Sequence, residues 1–218
     1  MSTTEPNKTL PHLEKTIDKL TSEFNLIPDV RKATIKQLTD FVLQRGKSDQ
    51  KILLNFICTH NSRRSHIAQS WAQTAAYYYE VKNVETFSGG TEATAFNPRA
   101  VTAMRQAGFE ITTKKDGQNP VYEVKYARDA TPLTIFSKKY DDPFNPTKDF
   151  AAIMTCSHAD ENCPLVVGAA ARISLTYNDP KDFDGTPLEA AKYTERVFEI
   201  GREILYAFSE VKMKLHPA

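Results

Sequence analysis

The segment Cys58-Thr59-His60-Asn61-Ser62-Arg63-Arg64-Ser65 puts a thiol, a guanidinium and a hydroxyl within one short stretch. Cys58 and Arg64 flank five residues, and Ser65 follows at once. That set suits attack on a tetrahedral oxyanion. The thiolate is the nucleophile, and the planar fork of Arg64 holds two oxygens of the anion. The Ser65 hydroxyl donates to the sulfur and favours its negative charge. Thr59, His60, Asn61, Ser62 and Arg63 supply successive backbone N–H groups, so residues 59–65 are all oxyanion-binding candidates. Asn61 and Ser62 carry side chains that bond neighbouring backbone and keep such a loop in shape. His60 and Arg63 are expected to be exposed. The plainer alternative is Cys58 as a small buried hydrophobe with Arg64 in solvent.

Breaking a bond to a departing oxygen also takes a proton donor. Asp179, in Tyr177-Asn178-Asp179-Pro180, is the candidate: it follows a short apolar run, and Pro180 restricts the backbone that aims it. An ordinary Asp-Pro turn is the competing reading. Asp182 and Asp184 are the nearest substitutes. Two further thiols, Cys156 and Cys163, have six residues between them in a polar stretch that reads as a loop, Ser157-His158-Ala159-Asp160-Glu161-Asn162. They are free cysteines, a redox pair, or, with His158, an incomplete zinc set whose spacing matches no common finger. No metal is expected.

The elements that must hold these groups follow from patterning. Ile52 to Ile57 is a nearly continuous apolar run, as in a strand buried on both faces of a parallel sheet. Ile67, Ala68, Trp71, Ala72 and Ala75 then repeat at helical spacing, so the cysteine loop joins a strand to a helix N-terminus, where the helix dipole favours an anion. Val84 to Phe87 reads as the next strand, closed by Ser88-Gly89-Gly90. A helix over 100–107 has Asn97-Pro98 at its start and Gly108 at its end. Ala151 to Thr155 and Ile173 to Leu175 read as further strands. A last helix over about 187–211 carries Tyr193, Val197, Ile200, Ile204 and Phe208 on one stripe. Alternating strand and helix implies right-handed crossovers and an α/β fold.

Two stretches depart from that alternation. Val121 to Tyr126 and Leu133 to Ser137 predict a hairpin inserted within about 116–149. Residues 1–50 predict a helical extension with two apolar stripes, Ile17, Leu20, Phe24 and then Ile35, Leu38, Phe41, Val42, interrupted at Pro28. This extension is read as a packing or oligomerisation element, set before a main domain over 51–218.

Composition excludes other classes. Lys and Arg number 28 against 27 Asp and Glu, so no strong global field draws nucleic acid or an anionic membrane. The N-terminus lacks the apolar core of a signal peptide, and no run approaches a membrane span. Three cysteines do not suggest a secreted disulfide framework, which leaves a cytoplasmic location as the expectation.

Strand, Cys-Thr-x-Asn-Ser-x-Arg-Ser, then helix resembles the phosphate-binding loop of low-molecular-weight protein tyrosine phosphatases and of the related thioredoxin-coupled arsenate reductases. Phe87-Ser88-Gly89-Gly90-Thr91 with Asn97-Pro98-Arg99-Ala100 is similar to the family's second strand and following helix start. The resemblance runs from about Lys51 to the C-terminus and skips the insertion. It implies a three-layer α/β sandwich around a parallel four-stranded sheet, with no bound cofactor. It further implies that Asp179 is the acid and that Cys156 and Cys163 belong to a relay. Cys58 attacks arsenate, Cys156 then attacks Cys58 and releases arsenite, and Cys163 passes the disulfide to thioredoxin. A phosphatase acting through a cysteinyl-phosphate would use Cys58, Arg64 and Asp179 alone. A non-catalytic oxyanion sensor would use only the loop. Gln69 stands where some reductases carry an acidic residue, so a bound monovalent cation is not implied.

Overall fold

The structure, a computed structural model, describes residues 9–162 and 165–215. In chain order the elements are α1 (Pro11–Ser22), α2 (Asp29–Lys47), β1 (Ile52–Cys58), α3 (Arg64–Tyr78), β2 (Val84–Gly90), α4 (Pro98–Gln106), β3 (Glu110–Lys115), β4 (Val121–Lys125), β5 (Leu133–Ile135), β6 (Phe150–Met154), α5 (Ser157–Asn162), β7 (Ala169–Ser174) and α6 (Glu189–Leu215). The apolar run at 52–57 forms the second strand of a four-stranded sheet ordered β2-β1-β6-β7, and every pairing in it is parallel. Asn97 caps α4 as expected, its side chain accepting from the N–H groups of Arg99 and Ala100.

Alternate residues of the central strands face two separate cores. Ile52, Leu54 and Phe56 of β1, with Ala151 and Ile153 of β6, face a large core closed by α1, α2, α3, α4 and α6. Leu53 and Ile57, with Phe150, Ala152 and Met154, face a smaller one covered by Ala159 of α5, Val166 and Tyr140. The expected three layers are therefore present, with a thin third layer made of a short helix and irregular chain. No helix among the described residues is long and apolar enough to cross a membrane.

The extension over 1–50 buries its stripes within the same chain. Leu13, Ile17, Leu20, Ile35, Leu38 and Val42 are fully buried in the large core, and α1 and α2 both lie on α6. Gly108 has φ +107, and a Cβ there would meet the Leu13 backbone nitrogen at 2.3 Å, so glycine serves both the helix exit and the close approach of α1. The inserted hairpin forms as β4 and β5, but β3 joins them in a three-stranded antiparallel sheet that the sequence reading did not contain. In β3 only Ile111 is buried, so the strand has no alternating apolar signal. Beyond β5 the chain returns to the main sheet. Gly90 N–H donates to the Lys138 carbonyl and Tyr140 N–H to the Gly90 carbonyl, both at 2.9 Å.

Candidate active site

Cys58 ends β1, and the chain leaves the sheet there through an irregular loop. The carbonyls of that loop are held from outside. Thr91 N–H donates to the Cys58 carbonyl at 3.1 Å and Glu92 N–H to the Thr59 carbonyl at 2.8 Å. The Thr94 and Ser137 hydroxyls donate to the His60 carbonyl at 3.2 and 2.9 Å, and Asn97 N–H to the Ser62 carbonyl at 2.9 Å. In a planar trans peptide the next N–H points opposite the carbonyl. Tying these four carbonyls outward therefore turns the N–H groups of Thr59, His60, Asn61 and Arg63 toward the loop's interior. The first turn of α3 begins at the same place, and no side chain caps it. Together these amides are the candidate anion cradle.

Asn61 adopts φ 44, a left-handed conformation that Asn tolerates better than most residues. Its side chain links the loop to the sulfur. Asn61 Nδ2 donates to Ser65 Oγ at 2.9 Å, and Ser65 Oγ lies 3.1 Å from Cys58 Sγ, to which its hydroxyl donates when the sulfur is a thiolate. Behind Asn61 lies His66, fully buried, with Nδ1 3.0 Å from Ser88 Oγ. Burial, and then the nearby Lys138 charge, hold the His66 imidazole well below its ordinary range, so it is neutral at physiological pH.

Arg64 is buried. One terminal nitrogen donates to the Tyr177 carbonyl at 2.9 Å, the other to Asp179 Oδ2 at 2.5 Å, and Nε has no partner among the described residues. The structure thus brings Asp179 to the loop from the segment after β7. The Asp-Pro turn reading also holds, since Asp179 Oδ1 accepts from Lys181 N–H at the start of the Pro180–Phe183 3-10 turn. Arg63 was expected in solvent and is not there. Its Nε donates to the Tyr193 hydroxyl at 2.8 Å, and its guanidinium lies 3.5 Å from Asp184 and 3.9 Å from Asp179. Burial pushes the Tyr193 hydroxyl up to about 12 against the opposing Arg63 hydrogen bond, so it stays a donor, to Asp184 at 2.8 Å. Asp184 is committed to this cluster and to Arg99, which leaves Asp179 as the carboxylate on Arg64. His60 is partly exposed, with its ring 3.6 Å from Glu92.

Cys156 follows β6, the strand paired with β1, and is buried. Its sulfur lies 3.4 Å from the Thr59 hydroxyl, which also lies 3.3 Å from His158 Nδ1. Thr59 therefore contributes its backbone N–H to the cradle while its hydroxyl faces the second thiol. The stretch after Cys156 is a correction: Ser157–Asn162 is a short helix, α5, not a loop. Cys156 begins it, its carbonyl accepting from Asp160 N–H at 3.0 Å and its sulfur from Ala159 N–H at 3.4 Å. Five polar residues and one alanine carry no apolar period to reveal such a helix. Cys163 lies outside the described residues. Gln69 is buried, with Nε2 on the Thr86 carbonyl at 2.9 Å.

Several residues that shape the site had no signal in the sequence. Tyr177 acts through its carbonyl, Thr91 and Glu92 through backbone N–H groups, and Thr94 and Ser137 through hydroxyls on segments distant in sequence. Tyr177 and Thr91 are visible in the sequence only as neighbours of Asp179 and Gly90, and Tyr193 only as part of the apolar stripe of α6.

Fold and site define an α/β protein with a cysteine at the start of an amide-lined loop, an arginine at its end, and a second buried thiol beside it. No family model matches the chain. An arsenate reductase of Bacillus licheniformis is 30% identical over 155 residues, covering 71% of this chain and 93% of that protein. An arsenate reductase of Brevibacillus brevis is 33% identical over 132 residues, 61% of this chain and 79% of that protein. A solved low-molecular-weight phosphotyrosine phosphatase of Vibrio cholerae covers 72% of this chain and 94% of its own, with a TM-score of 0.48 and 12% identity. On the sequence relatives, the chain belongs to the arsenate reductase family of enzymes.

Proposed function

We propose that this enzyme reduces arsenate to arsenite through Cys58, Cys156 and Cys163, with thioredoxin as the external reductant. The Cys58 thiolate attacks arsenic(V), and Asp179 gives a proton to the oxygen that leaves as water. The cradle amides and the unpartnered Nε of Arg64 hold the remaining oxygens. The Cys156 thiolate then attacks Cys58 Sγ: an S–S bond forms, the As–S bond breaks, and arsenic keeps the electron pair and departs as arsenite. Cys163 attacks Cys156 and frees Cys58. The dithiol of thioredoxin reduces the Cys156–Cys163 disulfide and is itself oxidised.

The observation that supports this reading over simple hydrolysis is the position of Cys156. Its sulfur is 3.4 Å from the hydroxyl of Thr59, the residue next to the nucleophile. A phosphatase has no use for a thiol there. The test is disulfide mapping by mass spectrometry after one arsenate turnover. Cys163→Ser should trap a Cys58–Cys156 linkage, and both Cys156→Ser and Cys163→Ser should lose multiple turnover with thioredoxin. Undiminished arsenate turnover with thioredoxin in the two variants would remove Cys156 and Cys163 from the chemistry and overturn the relay.

A further inference from the structure

The segment that interrupts the α/β alternation returns to the cysteine loop and holds it at two points. Ser137 Oγ accepts from Thr94 N–H at 2.8 Å, so its proton goes to the His60 carbonyl at 2.9 Å. That carbonyl belongs to the peptide that delivers the Asn61 N–H to the cradle. The next residue, Lys138, donates its N–H to Asn61 Oδ1 at 2.9 Å. The same amide group donates through Nδ2 to Ser65, whose hydroxyl meets Cys58 Sγ. An amide oxygen held by Lys138 fixes which end of Asn61 faces Ser65.

Ser137 is itself clamped by a single side chain. Asn119 Oδ1 accepts from Ser137 N–H at 3.1 Å, and Asn119 Nδ2 donates to the Ser137 carbonyl at 2.7 Å. Asn119 is exposed and adds nothing to either core. Joined through the Ser137–Lys138 peptide, hydrogen bonds thus run from a surface asparagine to Asn61, Ser65 and the sulfur.

We propose that Asn119 and Ser137 are positioning residues for Cys58, holding the His60–Asn61 peptide and the Asn61 amide so that the Ser65 hydroxyl is turned onto the sulfur. The inference rests on the reading of Cys58 as the nucleophile, and it gives the inserted segment a part in setting that nucleophile's reactivity.

The test is the rate of Cys58 alkylation by iodoacetamide across pH in the full chain, read by mass spectrometry of the Cys58 peptide. Asn119→Ala and Ser137→Ala should move the pH midpoint of alkylation upward, lowering the rate at neutral pH by about 3- to 10-fold, the scale of one ordinary hydrogen bond. Ser137→Thr keeps the hydroxyl and should retain the wild-type midpoint. A purely structural brace would lower the thermal midpoint and leave the alkylation profile in place, and that result, or a downward shift, would overturn the proposal. If Ser137→Ala does not fold, Asn119→Ala decides alone, since an exposed side chain carries little of the fold's stability. Failure of the wild type to reduce arsenate would remove the relay but not this result, which is read at the sulfur itself.

Discussion

Arg64 donates to the Asp179 carboxylate at 2.5 Å, which fastens the first turn of α3 to the segment after β7. The guanidinium at the end of the cysteine loop is therefore also the group that places the proposed proton donor. Asp179→Asn keeps an acceptor for Arg64 but has no acidic proton to transfer. It is expected to lower kcat for arsenate about 10²- to 10⁴-fold with a smaller change in KM. Steady-state kinetics under saturating thioredoxin check this, and a wild-type kcat would remove Asp179 from the chemistry.

The extension reaches the same segment from the other side. Arg31 of α2 makes two 2.8 Å contacts to the buried Glu203 of α6 and donates to the Thr176 carbonyl at 3.0 Å, with its guanidinium 4.8 Å from the centre of the Tyr177 ring. Removing one partner leaves a buried charge alone. Arg31→Leu should cost about 3–5 kcal/mol in urea unfolding, and adding Glu203→Leu should recover most of it. Equal loss in the single and double variants would mean that the pair is not what stabilises this junction.

Lys138 is buried between Phe136 and Phe144, 4.5 and 5.1 Å from the ring centres. Burial pulls its ammonium from 10.5 to about 8, with Asp142 opposing. The folded value lies below the unfolded one, so between about pH 8 and 10.5 the unfolded chain binds more protons and stability rises with pH. Below that window both states are charged and the full cost of burial is present. Lys138→Met should stabilise the protein at pH 7 by roughly 1–2 kcal/mol, because the two cation–π contacts offset part of the cost. The gain should shrink toward pH 10 in thermal melts. A gain that is constant across this range would point to packing instead of charge.

Gly90 sits where three backbones meet. A Cβ there would lie 2.3 Å from the Glu92 carbonyl oxygen, 2.6 Å from that of Thr59 and 2.7 Å from the Asn61 nitrogen. None of these atoms belongs to a side chain that can swing away, so the cysteine loop itself must shift. Gly90→Ala should abolish arsenate turnover, at least 10²-fold, while far-UV circular dichroism stays native, because displacement of about 1 Å at reacting groups has that scale of effect. Full activity in this variant would show that the cradle tolerates rearrangement.

The central strands, the cysteine loop and the start of α4 were legible because their signals are local. Ile52 to Ile57 announces a buried strand, and Asn97-Pro98 announces a cap. Where the sequence misled, the deciding forces act at long range or lack a period. Glu110–Lys115 buries one side chain of six and is a strand only because β4 pairs with it. Arg63 looked free because its partners, Tyr193 and Asp184, come from beyond residue 180. The cradle's shape was invisible for a related reason. It depends on which distant donors capture four carbonyls, and backbone N–H groups leave no mark on residue type.

Thr9 bridges Ala127, and Leu10 N–H donates to the Tyr126 carbonyl at 3.0 Å, so the start of the described chain is stitched to the end of β4. The two regions that read as ornaments on a standard core are thus fastened to each other as well as to it. A shortened catalyst cut at Lys51 would bare the flank of α6 and leave the three-stranded sheet with a loose border. Anyone seeking a minimal version of this enzyme would have to rebuild that seam, not merely trim it.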